Sequence, residues 1–482
     1  MILHVNHLQK GLSAPASALV AALLTLVEEG RVDGRLLAAL RVHLDWIQYR
    51  ANFREPVSVR RATDAGGGVL ALAELAVDLR RADPARFADA LARALGAMAP
   101  FAEAPAGDVE IQPFTALRES VIWRFNHLFW QRLGEWEAAT GRRFEEALPT
   151  GSSDAHDAGA VADSVADFWT LLVDLDKRGQ LPAEIFALEI GVGSGRRAAV
   201  WLDRFRALDT ERSTAFYPRL RFLLGDYSMP TLDRALAAVA GHRGCVSVIA
   251  LDALNPLKTL AFLRYKMLYV HLTNVYDNLP ADELVRRDGR YYLVEGRAFV
   301  PAAAAAPLGT RHGVAPDALP RLVERLLEAG PEALDDRARG VAFWRELWDA
   351  LRLEERLVAL DDLAQAPMPP GLDGHHLEAM LSDAPDDVRF HLSAGAAESF
   401  LNTLPLLHPR GYLQVQDIFV TAMDEYRLGF RGPGKLDGSV VNWVNGPLLR
   451  AVAARAGYDV HFAPFRYRPG AKTSILYTTQ RD

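Results

Sequence analysis

The sequence predicts an α/β fold in which a mostly parallel sheet is covered by helices on both faces. Apolar runs of strand length alternate with helical segments; these runs are 186–190, 220–224, 245–251, 266–272 and 411–416. Two further runs, 458–462 and 474–478, flank a Pro469-Gly470 turn. The sheet should therefore end in an antiparallel hairpin, with its last strand opposite in direction to the others.

Length and composition indicate a folded, soluble chain. The 482 residues suggest two or three domains, and 50% of them are hydrophobic and 24% charged. The formal charge of −7 argues against nucleic-acid binding. A single cysteine excludes an internal disulfide and a thiolate cluster, and no metal site is predicted. Since no membrane-spanning stretch and no signal peptide are recognisable, we expect a cytoplasmic protein that does not bind a membrane.

The first 150 residues are predicted to form a helical domain. Apolar residues between Val121 and Trp136 recur at steps of three and four, which is typical of an amphipathic helix. Segments 14–29 and 69–98 also have helical composition, and the three glycines at 66–68 separate them.

The rest of the chain is predicted to contain an α/β core in two parts. The first part is 151–284, which begins in the polar linker 149–159, and the second part is 388–482. Between them, 285–387 interrupts the strand pattern after the fourth strand. We interpret this stretch as a large insertion that caps the core and binds the substrate.

The segment Glu189-Ile-Gly-Val-Gly-Ser-Gly195 carries most of the functional information. An apolar strand runs directly into three glycines at alternate positions, and a helix is predicted to begin near Arg196. Glycines allow the backbone to turn with positive φ and to approach a ligand closely. The N–H groups at the start of the helix could then bind polar ligand atoms. A purely structural tight turn is the alternative.

Polar residues follow the next three predicted strands. Asp226 follows the second strand, where a carboxylate can accept hydrogen bonds from both hydroxyls of a ribose. Asp252 follows the third strand, and Asn274, Tyr276 and Asp277 follow the fourth. Because ligands of open α/β sheets bind at the carboxyl ends of the strands, these residues should line one crevice. The two acids after strands two and three are alternatively ordinary surface acids.

Taken together, these motifs resemble class I S-adenosylmethionine-dependent methyltransferases. The resemblance rests on the Glu-x-Gly-x-Gly-x-Gly loop, the acids after strands two and three, the 407–413 approach to strand five and the closing hairpin. It covers about 160–282 and 388–482. It implies a Rossmann-like sheet, mostly parallel with an antiparallel last strand, preceded by the helical region and interrupted by the insertion.

The resemblance also implies S-adenosylmethionine as the cofactor. The residues assigned to its binding are Glu189, Gly191, Gly193, Gly195, Asp226, Ser228, Asp252, Ala253 and Asn274. The first four would surround the methionine portion, while Asp226 would hold the ribose. Asp252 and Ala253 would frame the adenine, and Asn274 would face the reactive methyl group. Ser228 either belongs to this site or is a helix N-cap.

A narrower similarity links Asp277-Asn-Leu-Pro280 and the insertion after it to MidA-type protein-arginine methyltransferases. Their motif is Asn-Glu-x-x-Asp-Ala-Leu-Pro, and Thr273 and Asn274 stand in the place of its Asn-Glu pair. The acid that would match an arginine substrate is therefore missing. Val192 and Ala235 also depart from the Pro and Gln of that family.

Asn274, Tyr276 and Asp277 are the predicted catalytic residues. They would position the nucleophile of a protein side chain or of a bulky small molecule, and the sequence leaves the acceptor open. Alternatively, Tyr276 packs under the insertion and Asp277 caps a helix near Pro280. The oligomeric state is equally open, with a homodimer among the options.

Two other functions compete with methyl transfer. The first is a binding or assembly module that keeps the fold without turnover, which the missing family acid would favour. The second is an NAD-dependent oxidoreductase, which fits less well. Its Gly-x-Gly-x-x-Gly pattern would require glycine where Arg196 stands, and Asp226 lies 31 residues beyond Gly195 instead of the usual spacing of about 20.

Overall fold

The computed structural model describes residues 2–6, 13–33, 40–45, 47, 49–96, 107–148, 151–369, 371–428 and 432–481. In chain order the strands of these residues are β1 Ile2–Asn6, β2 Leu40–Asp45, β3 Val57–Thr63, β4 Val69–Asp78, β5 Val109–Ala116, β6 Ile185–Ile190, β7 Leu220–Asp226, β8 Val246–Ala250, β9 Met267–Thr273, β10 Asp282–Arg287, β11 Arg290–Val300, β12 Arg352–Leu360, β13 Val388–Leu392, β14 Leu407–Asp417, β15 Phe419–Val420, β16 Gly434–Leu436, β17 Ser439–Val441, β18 Val444–Asn445, β19 Tyr458–Pro464 and β20 Ser474–Gln480.

The α-helices of the same residues are α1 Ser13–Glu28, α2 Phe87–Gly96, α3 Val121–Gln131, α4 Leu133–Thr140, α5 Phe144–Ala147, α6 Ala158–Lys177, α7 Arg196–Arg212, α8 Met229–Ala238, α9 Pro256–Leu260, α10 Ala302–His312, α11 Leu319–Ala329, α12 Arg337–Ala350, α13 Gly374–Leu381, α14 Ala394–Thr403 and α15 Gly446–Arg455. None of these helices is both long enough and apolar enough to cross a membrane.

Seven strands form the core sheet, in the order β19-β20-β14-β9-β6-β7-β8. Strands β14, β9, β6, β7 and β8 are parallel, whereas β20 runs antiparallel to both of its neighbours. This arrangement confirms the predicted Rossmann-like sheet with a reversed last strand. The chain crosses from β6 outwards to β8 and then back to β9, so the topology reverses beside β6, where α/β sheets bind their ligands.

Helices cover both faces of the core sheet because successive strand residues point to opposite sides. Ala187 of β6 packs on one face against Phe168 of α6 and Trp201 of α7. Leu188 faces the other side, together with Phe400 of α14 and Leu448 of α15. Side chains on both faces are fully buried, which explains why the strands are apolar without alternation.

A second, mixed sheet has the order β1-β2-β4-β3-β12-β11-β10-β13, with β5 paired to β11. The chain before the core supplies β1 to β5, and the segment between β9 and β14 supplies β10 to β13. The pairing of β3 with β12 and of β5 with β11 joins these two parts of the chain. The N-terminal region and the insertion therefore build one sheet in common, a connection that local sequence patterns do not reveal.

The prediction of an all-helical N-terminal region is wrong. Helices α1 to α4 exist, but β2 to β5 lie among them, and 69–78 is a strand where the composition predicted a helix. Alanine, leucine and glutamate favour helices in isolation, whereas pairing with β2 and β3 decides the conformation here. The glycines at 66–68 belong to a hairpin turn, in which Asp64 Oδ1 accepts hydrogen bonds from the N–H groups of Gly66 and Gly68.

Candidate functional site

The glycine loop between β6 and α7 needs its glycines for two different reasons. Gly191, Gly193 and Gly195 all have positive φ, at 73°, 54° and 73°. A Cβ at Gly191 would lie 2.5 Å from Val275, and one at Gly195 would lie 2.6 Å from the Cα of Ala235. At Gly193, by contrast, no atom lies within 4 Å of that position. The loop is thus packed tightly at its ends and open at its centre, and we call the open space beside Gly193 the hollow.

Asp226 lies at the same edge of the sheet as this hollow. The carboxyl end of β6 is in register with that of β7, since Ile190 pairs with Gly225. Oδ1 of Asp226 accepts a hydrogen bond of 3.0 Å from the N–H of Ser228. Burial raises the pKa of Asp226, and hydrogen bonds from backbone N–H groups, including that of Gly193, oppose the rise. The predicted loop and the predicted ribose acid are therefore in contact.

The remaining residues assigned to the ribose and base lie on the next two turns. Asp252 follows β8 and is exposed, and its Oδ1 accepts from the N–H of Leu254 at 2.9 Å. Ala253 is half-buried beside it. Ser228 occupies the N-cap position of α8, but its buried hydroxyl accepts from Thr231 at 3.0 Å and does not cap the helix.

Helix α3 borders the site near Asp226. The exposed ring of His127 stacks on Tyr227 with a centroid distance of 4.8 Å and an interplanar angle of 11°. The Tyr227 hydroxyl donates to the backbone oxygen of His127 at 3.3 Å. A cavity of about 360 Å³ begins at Tyr227 and runs between the start of α8 and the turn that joins α3 to α4. The N-terminal region thus contributes directly to the surroundings of Asp226.

Glu189 is not free to bind a ligand in the way that the resemblance implies. Its buried Oε2 accepts a 2.8 Å hydrogen bond from Nη1 of Arg197, which is buried as well. Nη2 of Arg197 donates to the hydroxyl of Tyr269 at 2.7 Å. Burial raises the pKa of Glu189, and the charge of Arg197 opposes the rise. The pair connects the start of α7 to the end of strand β6. It thereby fixes both ends of the glycine loop that lies between them.

Asn274 directly follows β9 and lies next to the glycine loop. It has a φ of 52°, and its N–H donates to the backbone oxygen of Gln416 at 3.0 Å. Its half-buried side chain lies 3.5 Å from the hydroxyl of Ser153. The following residue, Val275, contacts the position of a Cβ at Gly191. Asn274 is therefore adjacent in sequence to the residue that packs against Gly191 at the start of the glycine loop.

The catalytic prediction for Tyr276 needs correction. Its side chain is only 2% exposed and packs in the hydrophobic cluster on the α14 and α15 face of the core sheet. Burial raises the pKa of its phenol above the ordinary value. Its side chain therefore belongs to the hydrophobic core beneath the loop after β9.

Asp277 and Asp417 form a buried carboxyl pair at the carboxyl ends of β9 and β14. Oδ2 of Asp417 accepts from the N–H groups of Tyr276 and Asp277, at 2.9 and 3.3 Å. Oδ1 of Asp277 accepts from the side chain of Asn278 at 2.7 Å. Burial raises the pKa of Asp417 to about 7, and burial together with the charge of Asp417 raises the pKa of Asp277. The pair therefore retains a proton near neutral pH.

This pair should make stability fall with rising pH. A carboxyl group whose folded pKa is raised stabilises the fold below its unfolded pKa, near 3.9, and loses that contribution as pH rises through about 7. We expect Asp277→Asn to reduce the loss of unfolding free energy between pH 5 and pH 8, because one charge of the pair is removed. Urea denaturation at the two pH values measures this, with the exposed Asp424→Asn as control. An unchanged loss would show that the pair does not titrate in this range.

Three residues that sequence reasoning missed shape this site. Asp417 directly follows a predicted strand, so the sequence could have predicted that it lies at the same edge of the sheet. Arg197 follows the glycine loop, but nothing in the sequence indicates that this arginine is buried. Glu145 of α5 belongs to the N-terminal region, and its Oε1 accepts a 3.0 Å hydrogen bond from the hydroxyl of Ser194 in the glycine loop. Only the tertiary structure could reveal that contact.

Comparison with known proteins does not assign the chain to a family. No protein-family profile matches the sequence, and no curated protein is similar to it. A COG1565 superfamily member from Burkholderia thailandensis bound to S-adenosyl-homocysteine is 14% identical, with a TM-score of 0.44, over 76% of this chain and 88% of that protein. The CcbJ methyltransferase from Streptomyces caelestis is 12% identical, with a TM-score of 0.30, over 67% of this chain and 90% of that protein.

The arrangement of side chains decides what the site can bind. Within the described ranges, no three His, Cys, Asp or Glu side chains are grouped closely enough to hold a metal ion. The open centre of the glycine loop, the half-buried Asp226 and the exposed Asp252 lie at the carboxyl ends of the three neighbouring strands β6, β7 and β8. Asn274 and the carboxyl pair lie at the carboxyl ends of the neighbouring strands β9 and β14.

Proposed function

We propose that this protein transfers a methyl group from S-adenosylmethionine to a protein side chain or to a bulky small molecule. The observation that carries the proposal is the hollow at Gly193, which opens beside Asp226 on the edge of a Rossmann-like sheet. Asp226 is half-buried, and the backbone N–H of Gly193 donates to its carboxylate, so the loop and the acid face each other.

The residues of the chain would mainly bind and align. S-adenosylmethionine supplies a methyl group on a sulfonium, which is already an activated leaving group. Asp226 would accept from the ribose hydroxyls, and the backbone of the glycine loop would contact the methionine portion. Asn274 would lie beside the methyl group. Such alignment of two reactants can supply about 7–11 kcal/mol of a barrier.

Asp277 is the residue we propose as general base. Its Oδ1 is held by Asn278, which leaves Oδ2 to accept a proton from the nucleophile of the acceptor. Asp417 would position Asp277, because it accepts hydrogen bonds from the backbone of the loop that carries Asp277. A positioned general base contributes about 10²–10⁴-fold to such a reaction.

For the acceptor, a nitrogen-bearing side chain such as arginine follows from the similarity to MidA-type methyltransferases. Asn274 supplies no charge at the place of the family's acid, but Asp277 and Asp417 place two carboxyl groups at the adjoining strand ends. A cationic acceptor could replace the proton that the pair retains. This supports a nitrogen acceptor over a carbon or carboxylate acceptor.

A methyl-labelling experiment tests the proposed activity. The protein is incubated with S-adenosylmethionine labelled in its methyl group and with cell extract separated into protein and small-molecule fractions. We expect label in one fraction, and we expect Asp277→Asn to lower the initial rate at least about 100-fold, the loss of a general base. Asp424→Asn, an exposed acid, is the matched control and should leave the rate unchanged.

The alternative function is a binding or assembly module, which the burial of Tyr276 and of the carboxyl pair would favour. A protein that binds the cofactor but labels neither fraction under any condition would support that module. It would contradict methyl transfer while leaving the cofactor site in place.

A further inference from the structure

The acid of the glycine-loop motif is already neutralised within the protein. Glu189 and Arg197 are each 4% exposed and form an ion pair, and Arg197 is further bonded to Tyr269. A buried acid with a guanidinium partner gains little from a second cation. The cationic amino group of a methionine portion would therefore need another carboxylate near the loop.

Glu145 is a carboxylate at the exposed side of that loop. Its Oε1 accepts from the Ser194 hydroxyl at 3.0 Å, between Gly193 and Gly195. Its side chain is 29% exposed, so solvent and a ligand can reach it without its being fully solvated. Among the described residues, no hydrogen bond engages Oε2 of Glu145. The nearest nitrogen of a basic side chain in the described part of the chain is Nε2 of His156, 3.9 Å from Oε1.

The segment that carries Glu145 is held firmly in place. Phe144 packs edge-on against Trp130 and Phe129, with centroid distances of 4.7 and 5.8 Å. Its N–H donates to Oε1 of Glu137 at 3.1 Å. Trp130 in turn donates to the side chain of Asn278 in the loop after β9. The position of Glu145 is thus fixed by contacts that do not involve the ligand.

His156 does not compete strongly for Glu145. Partial burial and the positive charges of Arg196 and Arg197 lower the pKa of His156, and the charge of Glu145 opposes this only in part. The imidazole is therefore neutral near pH 7. Among the described residues, no Lys or Arg nitrogen lies within 4 Å of the Glu145 carboxylate, so no guanidinium or ammonium group pairs with it directly.

We propose that Glu145, supplied by the N-terminal region, binds the cationic amino group at the amino-acid end of the cofactor. This inference rests on the proposed function, because it assigns a residue to the same ligand. It gives the N-terminal region a direct part in choosing the ligand. Adenosine compounds that carry an amino-acid group with a free amino nitrogen would bind more tightly than those that lack it.

Two ligands separate this role from a structural one. S-adenosylhomocysteine carries the amino group, whereas 5′-methylthioadenosine has the same nucleoside and sulfur but no amino-acid end. We expect Glu145→Gln to weaken binding of S-adenosylhomocysteine by roughly tenfold or more in calorimetry, the loss of one hydrogen bond to a charged group. Binding of methylthioadenosine should be unchanged.

A neighbouring acid provides the matched control. Glu146 is exposed, and its Oε2 accepts from the N–H of Arg143, a bond that Gln also makes. Glu146→Gln should bind both compounds like the unmodified protein. Equal weakening of both compounds by Glu145→Gln, or no weakening, would overturn the inference while the cofactor site stands. If the unmodified protein bound neither compound, the proposed function would fall, and this inference with it.

Discussion

Arg197→Met is expected to lower the free energy of unfolding by about 3–5 kcal/mol, the usual cost of removing one partner from a buried ion pair. The substitution leaves Glu189 buried without its 2.8 Å partner and deprives Tyr269 of a donor. Methionine fills much of the same volume, so the loss would come from charge and hydrogen bonding. Urea denaturation at pH 7 measures it.

Two further variants isolate the cause of that loss. Arg196→Met changes the adjacent, exposed arginine at the start of α7 and should alter stability by less than about 0.5 kcal/mol. Adding Glu189→Gln to Arg197→Met removes the stranded charge, so the double variant should be more stable than Arg197→Met alone. Equal instability of the single and double variants would mean that the ion pair does not hold the loop.

Asp226→Ala is expected to weaken binding of S-adenosylhomocysteine by about ten- to hundredfold. The net loss of about one hydrogen bond to a charged group costs roughly 1.5–3 kcal/mol, and 1.4 kcal/mol corresponds to about tenfold in affinity. Calorimetry on both proteins gives the ratio directly. Asp233→Ala, an exposed acid on α8, is the control and should bind normally. An Asp226→Ala variant with unchanged affinity would remove the ribose assignment.

The core sheet could be predicted because its signals are local. Continuous apolar runs mark strands that are buried on both faces, and each run coincides with a strand of the structure. The order of glycine loop, Asp226 and Asp252 then follows from the topology, since parallel strands end at one edge. The positive φ angles in the glycine loop could be predicted as well, because glycine adopts that conformation without strain.

The second sheet could not be predicted, for a physical reason. Strands β3 and β12 pair although almost 300 residues separate them, and no local pattern encodes such a partner. The intrinsic preference of 69–78 for helix is weaker than the pairing it makes. His127 and Glu145 reach the site from the N-terminal region. Their place in the site therefore could not be predicted from the sequence.

The sequence predicted which residues lie near the site more reliably than it predicted what their side chains contact. Glu189 has the expected position, yet its charge is satisfied by Arg197 and not by a ligand. Tyr276 follows β9 as expected, yet it points into the core. Both cases depend on which neighbours fill the space around a side chain. Spacing along the chain carries no information about that.

Binding of S-adenosylhomocysteine to the intact chain, measured by calorimetry beside NAD at matched concentrations, addresses the central claim most directly. If the backbone at 191–195 and the acid at 226 build one adenosyl pocket, S-adenosylhomocysteine should bind saturably with one molecule per chain, and NAD should bind far more weakly or not at all. Absence of saturable binding at millimolar S-adenosylhomocysteine, or tighter binding of NAD, would contradict the account.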